Sequence, residues 1–149
     1  MADEGTGLEP TIEITDGDYP EIIRIMASDG EIDEYLGSVG IEPDVFDGTE
    51  VDTTVCAPER AALGGSLGYV VGSVGEATGS LESVTTIIVP LSTAASLMGS
   101  LTEVSNEGLR LADCLESKRP EAASKLRETF ELLGLDDDRL RRAIDERSA

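Results

Sequence analysis

Twenty uncompensated negative charges constrain this chain more than any motif in it, for 31 Asp and Glu stand against 11 Lys and Arg in 149 residues. A small domain in ordinary buffer tolerates a net charge of roughly 2 to 8, so at low ionic strength self-repulsion opposes every compact state of this one. In about 1 M salt the Debye length contracts to about 3 Å, and the same charges then hold water and cations at the surface instead of repelling at range. The chain therefore reads as adapted to multimolar salt, with solvent cations as its non-specific companions.

Two details favour that reading over an acidic binding tail. Lysine occurs only at Lys118 and Lys125, the other cations being arginine, and aromatic residues make up just 3%. This composition resembles that of proteins from salt-accumulating haloarchaea or their viruses. The resemblance concerns environment and not activity, and it implies the cytoplasm of such an organism or, alternatively, a virion. A disordered acidic protein is the competing reading, but 40% apolar content with helical periodicity opposes it. Residues 1–10 are acidic and contain Gly, without a basic or an apolar run, so they are expected to be a flexible N-terminus and not a signal peptide. Residues 11–149 suit a single domain.

Charge divides that domain into three parts. Residues 1–57 carry 16 acids and one base, Arg24; residues 58–106 carry four acids and one base; residues 107–149 carry 11 acids and nine bases. These counts define an acidic α/β part over 11–57, a nearly uncharged Gly-rich centre over 58–106, and charge-balanced helices over 107–149. In the first part, Thr11 to Thr15 alternates with period two and predicts a strand. A helix follows, with Asp18 as its cap, Pro20 in its first turn and Gly30 at its end, and then a shorter one from Ile32 to Leu36. Val51 to Cys56 suits a further strand.

In the centre, Gly64, Gly68, Gly72, Gly75 and Gly79 recur at spacings of four and three beside Leu67 and Val71. On a helix this sets a small-residue stripe next to an aliphatic one, which lets a second backbone approach closely. Each interior glycine costs roughly 0.5 to 1 kcal/mol relative to alanine, so the stripe calls for tight packing, within the fold or between subunits. The rival reading makes Leu67 to Val74 a strand. Val84 to Val89, closed by Pro90, is a clearer strand, and a helix begins near Ser92 with Ala94, Leu97, Met98, Leu101 and Val104 inward. In the third part Leu109, Leu111, Ala112 and Leu115 predict one helix, Pro120 opens a second that Gly134 stops, and Asp136 to Asp138 begin a last one carrying Arg139, Arg141 and Arg142. The expected fold is helix-rich α+β, a few short strands with a C-terminal helical bundle. A compact all-α fold is the alternative.

Chemistry is sparse. Histidine is absent, which removes Ser-His and Cys-His activation. Neither GxGxxG nor GxxxxGK[ST] occurs, so no cofactor is implied. Cys56 and Cys114 belong to no metal-spaced set and are expected to be two buried thiols, with a disulfide as the lesser reading. Carboxylates cluster at Asp16, Asp18 and Glu21 and again at Asp29, Glu31, Asp33 and Glu34, but neither group fits a calcium loop, and no metal is expected. These observations point to a non-catalytic interaction or assembly protein, self-associating through the Gly-striped segment, with another copy of itself as the expected partner. Three alternatives stand beside it. Arg139, Arg141 and Arg142 on a helical hairpin suit a DNA-binding regulator, although the chain's charge and the salt oppose phosphate contacts. Residues 61–102 suit a membrane-associating surface, although Pro90 and many Ser and Thr make them too polar for a span. A carboxylate-based enzyme is the third.

Overall fold

Proline marks where the elements of this protein begin. In the computed structural model, which describes residues 10–46, 55–78 and 86–148, Pro20 is the first residue of helix α1 (Pro20–Ala27) and Pro43 opens a 3-10 turn (Pro43–Phe46). Helix α2 (Ile32–Ser38) lies between them. Pro58 occupies the second position of α3 (Ala57–Thr78), Pro90 ends strand β2 (Thr86–Pro90) just before α4 (Leu91–Leu115), and Pro120 starts α5 (Pro120–Ser148). At the first turn of a helix the missing N–H is no loss and the fixed φ is already helical.

The fold is helix-rich α+β, as the sequence predicts. Strand β1 (Thr11–Thr15) pairs antiparallel with β2 in the register Ile12 to Val89 and Ile14 to Ile87. Those four side chains are buried, whereas Thr11, Glu13, Thr86 and Ile88 face outward, the alternation that a two-stranded ribbon lying on helices requires. Helices α3, α4 and α5 pack in sequence, and α1 lies against both α5 and α3. The core runs through them, from Ile22, Ile25 and Met26 on α1 to Leu63 and Leu67 on α3, Leu97, Leu101 and Leu111 on α4, and Leu126, Phe130 and Leu133 on α5. Tyr35 of α2 is wholly buried with its ring 6.4 Å from that of Phe130, and its hydroxyl has no hydrogen-bond partner among the described residues.

Leu67 to Val74 is helix, the preferred reading, and not the rival strand, because one α3 face carries the aliphatic residues that are buried among those described. Several boundaries do differ from expectation. The two helices expected over 92–104 and 109–115 are one, α4. Gly134 does not stop α5, which runs on through Asp136 to Asp138, so no helical hairpin lies beyond it. A glycine ends a helix by taking a positive φ, and among the described residues only Gly30 and Gly40 do so. Val55 and Cys56 form a turn, and the rest of the strand expected over Val51 to Cys56 lies outside the described residues, as does the N-terminal segment before Pro10. Asp18 does not cap α1. That task falls to Asp136, whose Oδ2 accepts the backbone N–H groups of Glu21 at 2.8 Å and Ile22 at 3.2 Å. Finally, Cys56 and Cys114 are not free thiols but a disulfide, because α3 and α4 pack antiparallel and bring the start of one beside the end of the other.

Candidate functional site

Helix α3 has two unlike faces. Leu63, Leu67, Val70, Val71 and Val74 are buried inside the protein, so Leu67 and Val71, expected at a contact surface, belong instead to the core. The glycines divide. Gly64 packs on Ile32, to whose Cβ an added methyl would come within 3.4 Å. Gly68 admits the chain at Gly30, where a Cβ would sit 3.0 Å from the Gly68 Cα. That contact is the close backbone approach the stripe predicts, made within the molecule. Gly72 faces open space, Gly75 lies on α3, and Gly79 falls outside the described residues.

A groove of about 690 Å³ runs along the outer side of the α3–α4 pair. Ala62, Gly65, Ser66 and Tyr69 form one wall, and Ser96, Gly99 and Ser100 the other, with Glu103 and Glu107 at one end. Its floor is nearly featureless. Methyl groups on Gly65 or Gly99 would touch nothing within 4 Å. The Ser66 and Ser100 hydroxyls donate to carbonyls of their own helices, those of Ala62 at 3.1 Å and Ser96 at 3.3 Å, which leaves little hydrogen-bonding demand in the groove. Tyr69 stands beside it, 71% exposed. Glu107 is buried and pairs with Arg110 at 2.8 Å, so the end of the groove carries less charge than its residues suggest. Small residues on both helices thus leave the space between their outer surfaces unfilled.

The scarce cations join elements. Arg24 pairs with Glu21 and reaches from α1 to the Ser38 carbonyl at 2.6 Å; Lys125 reaches from α5 to the Gly40 carbonyl at 3.0 Å. Arg60 ties α3 to Asp33 and lies over the Phe46 ring at 5.1 Å from its centroid, while Arg127 spans from α5 to Asp113, at 2.9 Å, and Glu116. Of the candidate nucleic-acid residues, Arg139 shares this employment. Arg139 donates to the Asp18 carbonyl, Arg141 pairs with Asp137 at 3.2 Å, and Arg142 is exposed on the same continuous helix. Asp137 and Arg141 stand four residues apart, the spacing that places an acid and a base on one face of a helix. Burial pushes the carboxyls of both Asp136 and Asp137 up, with the backbone donors opposing it at Asp136 and Arg141 opposing it at Asp137.

Residues 83–102 include the end of the ribbon and the start of α4, and among the described residues no helix is long and apolar enough to cross a membrane. The sequence reading misses three arrangements: the Asp136 cap, the seat of Phe130 on Gly108, and the meeting of Cys56, Cys114 and Glu59. Only the last has a signal in the sequence, an isolated pair of cysteines. The groove and the helix-rich α+β fold thus define the protein by architecture. No family model, curated protein or solved structure compared with the chain matches it.

Proposed function

We propose that this is a non-catalytic assembly protein of a salt-rich setting, which binds a second copy of itself through the α3–α4 groove. The observation that carries this reading is the placement of Gly65 on one wall of the groove and Gly99 on the other, with space for a methyl at each among the described residues. Alanine there would favour either helix by about 1 kcal/mol, so folding of the isolated chain gives no reason for glycine, whereas close approach of an outside backbone does. The uncharged walls support self-association in a chain whose remaining surface repels its own copies, and molar salt screens that repulsion. The acidic composition supports a salt-accumulating host, and the disulfide supports an exposed location such as a virion over the cytoplasm.

Size-exclusion chromatography with light scattering in about 3 M KCl tests the proposal. The native protein should elute as one discrete oligomer, and Gly99→Leu, which fills the groove, should elute as a monomer with unchanged far-UV circular dichroism. A native protein that is monodisperse and monomeric at that salt overturns it.

A further inference from the structure

Cys56, Glu59 and Cys114 meet where α3 begins and α4 ends. Both sulfurs and a carboxylate oxygen of Glu59 lie within 4.8 Å of one another. Local structure explains the arrangement. Cys56 directly precedes the first residue of α3 and takes a positive φ of 57°, Glu59 stands in the first turn of that helix, and Cys114 is the last residue but one of α4. A bond between two helix ends needs no carboxylate beside it, yet Glu59 is half-buried there and has no hydrogen-bond or ion-pair partner among the described residues, although its neighbour Arg60 reaches away to Asp33.

We propose that this cluster is a redox-gated site for a thiophilic divalent cation of the zinc type. When oxidised, it joins α3 to α4 covalently, and when reduced it joins them through the metal ion. The proposal is independent of the groove. Opening requires a dithiol reductant, which gives two electrons and two protons to the Cys56–Cys114 bond, leaving two thiols here and a disulfide in the reductant. The cation then displaces both thiol protons to solvent and takes two thiolates and the Glu59 carboxylate, with water completing a tetrahedron. In that geometry the sulfurs stand about 3.8 Å apart, within the span that the three ligand atoms already occupy. The positive end of α3 favours the thiolate of Cys56.

Cobalt(II) and zinc(II) are suitable probes, added in about 3 M KCl to the full chain after reduction and removal of the reductant. The reduced protein should bind one ion per chain and show a thiolate-to-cobalt charge-transfer band that zinc displaces; the oxidised protein should show none. Glu59→Gln, which leaves the disulfide and hence the oxidised fold in place, should weaken binding at least about tenfold, the lower end of what loss of an outer-shell partner costs. Absence of the band at stoichiometric cobalt overturns the proposal, as does equal affinity in Glu59→Gln. Where reduction alone abolishes the helical circular dichroism, its recovery with zinc but not magnesium supports the site, and failure to recover overturns it.

Discussion

At Gly108 one hydrogen atom decides how closely α4 and α5 can meet. A Cβ at that position would lie 2.1 Å from Cε2 of the Phe130 ring, which is itself buried. Gly108→Ala should therefore lower the unfolding free energy by about 1 to 3 kcal/mol, the cost of an overpacked core, as read from denaturant titration at high salt. Asp136 yields a prediction of a different kind. Burial raises its carboxyl above the ordinary aspartate value, so the folded chain holds that proton more firmly than the unfolded one. Ionisation therefore costs stability as pH rises from the unfolded value through the folded one, and the cost is complete at neutral pH. Asp136→Asn keeps an acceptor for the N–H groups of Glu21 and Ile22 without the charge. Its thermal midpoint should match or exceed that of the native protein at pH 7, with the advantage closing as pH falls below the ordinary aspartate range. Asp136→Ala loses the acceptor and should cost about 1 kcal/mol at neutral pH. An asparagine variant that loses ground as pH rises would contradict the assignment.

Among the elements, α5 carries the sharpest test. Gly134 sits mid-helix, and a Cβ there would meet nothing within 4 Å, so Gly134→Ala should raise stability by roughly 0.5 to 1 kcal/mol and leave the fold unchanged, as followed by chemical denaturation. Destabilisation would instead indicate the break that the sequence suggests. That contrast shows what was legible beforehand. Both strands and α1 follow from local signals, namely alternation in Thr11 to Thr15, β-branching in Thr86 to Val89, and proline at the first position of α1. The aliphatic repeat of α3 is equally plain, but a repeat shows only that a face is buried, not against what. Whether Leu67 and Val71 meet α4 or another subunit depends on neighbours distant in the chain. Gly134 misleads because its role depends on the sign of φ, which no residue type encodes, and the helix continues because Leu133, Leu140 and Ile144 hold it to the core. Asp136 reaches α1 across 115 residues, beyond any spacing rule.

For the molecule as a whole, the proposed adaptation to salt is tested through the net charge of -20. Dilution from about 3 M to 0.01 M KCl lengthens the Debye distance to about 30 Å, wide enough for the acidic parts to repel one another across the fold. The helical circular dichroism should fall on dilution and return when salt is restored; a signal indifferent to salt would remove the case for halophilic adaptation. One covalent feature outlasts that transition. The bond between Cys56 and Cys114 spans 58 positions and closes a ring of backbone that contains α3, β2 and α4, and therefore both walls of the groove. A protease that cuts once inside the ring opens it without dividing the molecule. The two pieces should migrate together on a denaturing gel until a thiol is added, so that even a nicked and salt-starved chain keeps the two walls tethered for refolding.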